Sequence, residues 1–456
     1  MTDRSMPSPD RPAADGASGR LTGMVGAAMN ASQHSSTRSP VLAIFASLVV
    51  GAVFAIALLL GPASGASEPM ITGCVMFAFG LGWGLMAFLS TRYSAQPQPW
   101  MVVPALVLGI SGLALIVFQP GPAAMDLLSW IWPPALAVLA VWMILQVRRN
   151  LRGRGRWLVL PVSAVLLLVA VGGAFATVSA ATRGTAQTAA GQMVDVGGRR
   201  LYIECTGSGS PTVVLQAGLG ASSSSWASIA PKVALSTRVC AYDRAGHGHS
   251  DEAAGPQDGI ALAADLHTLL ERAGVAGPYV IVGHSSGGPY VRVFTTQYPN
   301  EIAGMVLLDA QPAEALTALP DYPGFYYPYR FVTALAPSLA RVGLLGPLLG
   351  LSADESTPGA ARSARNAVAE LPTALDQAKA LTSIGDKPLA VVTAGSGQQT
   401  GWFEAQDRMA GLSSNSVHRV IDTATHDSLI SGADAEASIQ AILDVLQSVR
   451  AGTPVR

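Results

Sequence analysis

The hydrophobic pattern divides this chain in two. Between residues 41 and 181 apolar positions run almost unbroken, whereas beyond about residue 192 short β-branched runs alternate with amphipathic stretches. Five apolar runs, at 41–61, 71–90, 100–118, 127–147 and 157–180, are each near the ~20 residues an α-helix needs to cross a bilayer core. They lack the polar face that a surface helix of a soluble protein keeps, so the pattern predicts five membrane spans. Residues 1–40 are rich in Ser, Pro, Ala and Gly without periodicity and are expected to be a disordered tail.

Composition sharpens this division. Apolar residues make up 50% of the chain and charged residues only 12%, against about 25% charged in ordinary soluble domains. The deficit lies before residue 181. A net charge of −1 leaves no electrostatic footprint for a nucleic acid. Arginine placement sets the expected orientation: Arg4, Arg11, Arg20 and Arg38 lie in the tail, Arg92 after the second run, and Arg148, Arg149, Arg152, Arg154 and Arg156 after the fourth. Loops after the first and third runs have no Lys or Arg. Positive loops stay inside, so the amino terminus is expected in the cytoplasm and everything after residue 181 outside it. No ionisable residue sits mid-span, which removes the usual mark of a transport path and leaves anchor or scaffold as the expectation. Gly80 and Gly84 form a G-x-x-x-G pair that either packs helices or is merely tolerated.

Candidate strands at 200–205, 212–215, 238–242, 279–282, 305–308, 389–393 and 417–421 alternate with helical patterns such as 261–273, where Leu262, Leu266, Leu269 and Leu270 share a face. That alternation predicts a parallel sheet covered on both sides over residues 192–456. After the run at 279–282 comes Gly283-His284-Ser285-Ser286-Gly287. This is the G-x-S-x-G elbow, in which small residues let a strand turn sharply into a helix and lift the serine clear of the sheet. Three further segments follow strands: Gln216-Ala217-Gly218-Leu219-Gly220, Asp243-Arg244-Ala245-Gly246-His247-Gly248-His249-Ser250, and Thr425-His426-Asp427.

Together these segments resemble the α/β-hydrolase superfamily, in its serine-nucleophile esterase, lipase and aminopeptidase-like branch, over roughly residues 192–450. The amino-terminal spans make the whole similar to membrane-tethered hydrolases of actinobacteria. The resemblance implies a mostly parallel sheet flanked by helices, with a helical lid inserted at 310–386 whose start is aromatic: Tyr322, Phe325, Tyr326, Tyr327, Tyr329 and Phe331. It implies Ser285 as nucleophile and His426, on the loop after the last strand, as its base. His418, inside that strand, is expected to pack or face solvent, and His247, His249 and His284 to line the site.

The acid is less constrained. Residues 394–399, where the superfamily usually carries it, hold no carboxylate. Asp309, ending the preceding strand, keeps the order Ser, Asp, His; Asp407 and Glu404 are the fallbacks. The oxyanion hole is expected from the backbone N–H groups of Leu219 and Ser286, with Asp243, Arg244 and Gly246 buttressing the turn. Of the cysteines, Cys74 lies in the second span, while the resemblance makes the strands of Cys205 and Cys240 neighbours. In an extracytoplasmic domain that pair is expected to form a disulfide. Cys and His spacing offers no metal site, and the implied chemistry needs no cofactor. The expectation is therefore a membrane-anchored hydrolase acting on a small ester or amide with an apolar moiety. Perhydrolysis by the same residues, or a non-catalytic membrane receptor or assembly protein retaining the fold, are the alternatives.

Overall fold

The computed structural model describes residues 40–60, 67–94, 96–183, 190–253, 255–351 and 356–456; the expected tail, with Arg4, Arg11, Arg20 and Arg38, lies outside them. The apolar runs form helices α1 (Pro40–Leu60), α2 (Glu68–Tyr93), α3 (Val102–Phe118), α4 (Pro122–Asn150) and α5 (Arg156–Arg183). Among the described residues four segments, Glu68–Tyr93, Pro99–Phe118, Pro122–Asn150 and Gly153–Thr182, are long and apolar enough to cross a membrane. The first expected span falls on α1, of which the stretch Ile44–Ala57 counts as a shorter apolar helix. Pro133 and Pro134 lie inside α4 and Pro161 inside α5 without ending either helix.

Of the two readings of the α2 glycines, packing holds at Gly80, and the contact with α3 extends to Gly73. A Cβ on Gly80 would lie 2.5 Å from the backbone nitrogen of Gly109 in α3, and one on Gly73 would lie 2.7 Å from the carbonyl of Gly112. A Cβ on Gly84 would lie 3.8 Å from that of Ala105, also in α3, an ordinary van der Waals contact. Gly73 and Gly80, seven residues apart on one helix stripe, are what let the α2 and α3 backbones touch.

Beyond α5 the described residues form eight strands: β1 (Gln192–Asp195), β2 (Arg200–Thr206), β3 (Thr212–Gln216), β4 (Val239–Tyr242), β5 (Tyr279–His284), β6 (Ile302–Leu308), β7 (Leu389–Ala394) and β8 (Ser416–Ile421). They lie in one sheet in the order β1-β2-β4-β3-β5-β6-β7-β8. β2 pairs antiparallel with β1 and β4; all other pairs are parallel. The sequence pattern misses β1 because this edge strand is four residues long and buries only Val194, too little for an alternation to register.

Successive strand residues feed opposite cores, as period-two pleating requires. Val214, Ile281, Leu307 and Val391 pack with α6 (Gly259–Arg272) and α7 (Gly287–Gln297), through Leu266, Leu269, Val291 and Phe294. Val213, Val280, Val282, Val306 and Val392 pack on the other side, against Ile439, Ile442 and Val445. Cys205 and Cys240 are direct partners across β2 and β4 and are joined by a disulfide.

The described residues between β6 and β7 include several helices. Among them are α8 (Tyr322–Arg341), a short helical turn (Leu345–Leu349) and α9 (Pro358–Ala378). α10 (Trp402–Ala410) then leads into β8, and α11 (Ala435–Ala451) closes the fold. α8 also reaches the apolar bundle, where Ser338 Oγ lies 2.8 Å from Thr72 Oγ1 of α2.

Candidate active site

Ser285 follows β5 directly and adopts φ +56°, a left-handed conformation that is strained for any residue with a Cβ. The glycines around it make the turn possible. A Cβ on Gly287 would lie 2.4 Å from the carbonyl oxygen of Gln216, and one on Gly283 would lie 2.7 Å from that of Gly287. The Ser285 N–H donates to the Leu308 carbonyl at 3.2 Å, and its own carbonyl accepts from Gln311 N–H at 2.9 Å. The elbow is thus bonded to β6 and to the residues after it. The turn after β3 sits over the serine, since a Cβ on Gly218 would approach Ser285 Cβ to 2.9 Å.

Asp309 follows β6 directly, with φ +40° and a fully buried side chain. Its Oδ2 lies 2.6 Å from Nδ1 of His426. The remaining lone pairs accept from Trp402 Nε1 at 2.9 Å, Gln398 Nε2 at 3.1 Å and Ala394 N–H at 3.3 Å. Burial pushes the carboxyl upward, but the hydrogen bond and charge of His426, with Trp402 and Gln398, outweigh it and hold the pKa below the usual carboxylate range. Asp309 is therefore ionised at neutral pH. The 394–399 loop, which lacks a carboxylate, supplies donors to Asp309 instead.

His426 meets the elbow through His284, whose ring lies 4.6 Å from its own and whose Nε2 lies 3.0 Å from its carbonyl oxygen. Burial, with His426 beside it, pushes the His284 pKa down to about 4, so its ring is neutral and Nε2 donates. Ser285, Asp309 and His426 are therefore gathered at one end of the sheet, at the carboxyl ends of β5 and β6 and on the loop after β8. The only non-glycine residues with positive φ among those described are Gln119, Ser285 and Asp309.

The fallback acids are elsewhere. Asp407, mostly exposed on α10, bonds His418 Nδ1 at 2.6 Å, and His418 Nε2 lies 2.8 Å from Thr393 Oγ1. Glu404, on the same helix, is exposed. A carboxylate on a helix beside β8 meets the histidine within the strand, not the one on the loop beyond it. Of the three motif histidines, His284 contacts His426, and the other two have partners in and beside the loop after β4. His249 lies against Asp243 at 3.2 Å and Tyr202 at 4.5 Å, while the His247 ring contacts the Ala245 carbonyl within its own loop.

The β4 loop does buttress the turn after β3. Arg244 donates to the carbonyls of Ala217 and Gly218, the latter at 2.6 Å, and Asp243 accepts from Ser223 N–H at 2.6 Å. With those carbonyls turned toward Arg244, the N–H groups of Leu219 and Ser286 have no acceptor among the described residues. Leu219 also joins an apolar cluster with Tyr326, Val368, Leu371, Trp402 and Tyr322 that draws the β6–β7 helices over this end of the sheet. Sequence reasoning missed Trp402, Gln398 and Gln311. A buried-type aromatic donor four residues past Gln398, in a loop lacking its usual acid, was the available signal for the first two.

Two buried neutral histidines predict acid sensitivity. Burial, helped by Arg244, lowers His247 to about 3, and His284 sits near 4, both against an ordinary 6.5. Unfolded chains bind protons below 6.5 that the folded protein refuses, so stability should fall as pH drops from 6.5 toward 4. The slope is about 1.4 kcal/mol per pH unit for each histidine. Asp309, being lowered, adds to this only at still lower pH. Thermal unfolding of the detergent-solubilised protein between pH 7 and 5 should show the decline, and His247→Gln should roughly halve it; an unchanged slope would contradict the assignment.

Known proteins bear on the same part of the chain. Residues 211–345 match the family model described as the alpha/beta hydrolase fold. An uncharacterized protein of Schizosaccharomyces pombe is 39% identical over 89 residues, covering 19% of this chain and 16% of that protein. A bifunctional esterase/perhydrolase of Acinetobacter calcoaceticus is 42% identical over 76 residues, covering 16% of this chain and 27% of the relative. The chain thus spans less than a third of either relative. Among solved structures, the enol-lactonase of Burkholderia xenovorans is 20% identical with a TM-score of 0.46, covering 56% of this chain and all of that one. The strand order, the strained serine at the β5 turn and the matched segment all say the same thing: the carboxyl-terminal part of this chain is an α/β hydrolase in fold, preceded by apolar helices that fit a membrane region.

Proposed function

We propose that this protein is a membrane-anchored serine hydrolase that cleaves an ester through an acyl-enzyme, with its catalytic domain outside the cytoplasm. The observation that carries this reading is the 2.6 Å contact between His426 Nδ1 and the buried Asp309 carboxylate beside the strained Ser285 turn. Asp309 keeps the proton on Nδ1, which leaves Nε2 free to act as base. Ser285 Oγ attacks the ester carbonyl while its proton passes to His426 Nε2; the alkoxide leaves with that proton, and Ser285 becomes acylated. Water, deprotonated by the same nitrogen, then releases the acid and restores the hydroxyl. The Leu219 and Ser286 N–H groups, left without acceptors, are the candidate donors to the oxyanion. The reaction draws only on these groups. The likeness to an esterase/perhydrolase makes perhydrolysis the second reading, with hydrogen peroxide replacing water at deacylation.

Two features support the location. The Cys205–Cys240 disulfide suits an oxidising compartment. The hydrolase domain meets the bundle where α2 and α4 begin, at Glu68 and Asp126, whereas their last turns carry Arg92, Arg148 and Arg149. By the positive-inside rule, the domain then lies on the outer side, behind five expected spans.

A membrane-impermeant fluorophosphonate tests both parts. Right-side-out membrane vesicles should be labelled on Ser285, mapped by peptide mass. Labelling confined to inside-out vesicles would reverse the orientation alone, and no labelling of folded protein in either would remove the hydrolase reading.

A further inference from the structure

α8 ties the site to the bundle at both of its ends. At its start, the Tyr322 hydroxyl bonds Gln311, whose N–H is bonded to the Ser285 carbonyl. Its 20 residues span about 30 Å. Its last turn is embedded in the bundle, where Arg341 pairs with Glu68 and, at 2.8 Å, with Asp126. Arg341 also donates to Ser129 Oγ and to the Met125 carbonyl. Arg362 of α9 joins the same carboxylates and bonds Glu252 at 2.8 Å. The chain then passes so close to α5 that a Cβ on Gly172 would lie 2.3 Å from the Val342 carbonyl.

Two apolar surfaces follow from this placement. Along α8, Tyr322, Phe325, Tyr329 and Val332 recur at three- and four-residue steps and so share one face. The rings touch in sequence, Tyr322 to Phe325 at 6.3 Å and Phe325 to Tyr329 at 5.5 Å, and Phe325, Tyr329 and Val332 are exposed. Just past Gly343, Leu345 turns inward while Leu344, Leu348, Leu349 and Leu351 stay exposed. They emerge beside Gly172, at a level where α5 still exposes Val171 and Phe175. Four bare leucines continuous with a membrane-facing helix surface have one medium that can cover them, the bilayer into which that surface fits.

We infer that residues 344–351 dip into the lipid at the outer rim of the bundle, and that the Tyr322–Phe325–Tyr329–Val332 face carries a membrane-resident, long-chain acyl ester from that leaflet to Ser285. This rests on the serine hydrolase reading and narrows its substrate to a lipid ester, cleaved to a fatty acid and an alcohol. It also gives the bundle a task beyond anchoring: through Glu68, Asp126 and Gly172 it holds the foot of α8 at lipid level.

The test uses the full chain in phosphatidylcholine nanodiscs. Leu348→Ser/Leu349→Ser should lower kcat/KM for p-nitrophenyl palmitate dissolved in the disc by about tenfold. Turnover of water-soluble p-nitrophenyl acetate should change less than about twofold. Equal losses on both substrates, or none on either, would overturn the route. Wild-type protein inert to both substrates and to a fluorophosphonate would instead sink the serine reading beneath it. A nitroxide on Leu348→Cys, in a chain whose other unpaired cysteine, Cys74, is buried, supplies a readout without catalysis. Collisions with oxygen should exceed those with a water-soluble nickel chelate, and the reverse order would overturn the insertion.

Discussion

Ser285→Ala should lower kcat on an activated ester by about 10⁴- to 10⁶-fold, leaving only what binding and the oxyanion donors contribute. The loss is chemical because the substitution removes one oxygen and keeps the Cβ that already tolerates φ +56°. Gly218 and Gly287, which make room for the turn, are untouched. Thermal stability should therefore stay within about 1 kcal/mol of the parent. Initial rates on p-nitrophenyl acetate, with circular dichroism melts on the same samples, measure both quantities. A well-folded Ser285→Ala protein retaining more than a tenth of its activity would show that another group is the nucleophile.

Asp309→Asn is expected to cost about 10⁴-fold in kcat, as an amide can no longer hold the proton on His426 Nδ1. An asparagine that keeps its oxygen at the Oδ1 position, bonded by Trp402 and Ala394, would present its NH₂ to His426 and favour the other tautomer, with Nε2 protonated and no base facing Ser285. Asp407→Asn is the control. That carboxylate is mostly exposed and meets His418, so its loss should change kcat less than about twofold. If Asp407→Asn alone collapsed the rate, the acid would have been misassigned; if neither did, His426 would not need a carboxylate.

The two substitutions probe residues that were not equally legible in the chain. The elbow is a local object: five consecutive residues, a buried strand before them and a helix after, with glycines at the positions where a Cβ would strike Gln216 or Gly287. A motif of that kind carries its own geometry. Seven of the eight strands and the face of α6 were legible for the same reason, since side chains alternate or recur every few residues whatever lies far away. β1 was not, because one buried residue in four makes no pattern.

Asp309 belongs to a different kind of question. Nothing within its own strand marks it above Asp407 or Glu404; what selects it is the loop after β8 returning His426 to the end of β6, a contact across 117 residues. His247 and His249 sit in a recognisable loop, but their partners, Ala245 for the first and Asp243 and Tyr202 for the second, were set by how that loop packs. On the glycine face of α2, the crossing of α3 decided that the tightest approaches fall at Gly73 and Gly80, with Gly84 in ordinary contact.

Periodicity, turn chemistry and the arginine pattern along this chain thus declared apolar helices, a largely parallel sheet and a serine elbow, because each is written in residues close together and follows from backbone geometry alone. Which acid faces His426, and how Arg341 and Arg362 fasten the β6–β7 helices to Glu68 and Asp126, were decided when segments hundreds of residues apart were packed side by side. Hydrogen bonds and ion pairs act over a few ångströms of space, and separation along the chain does not encode that distance.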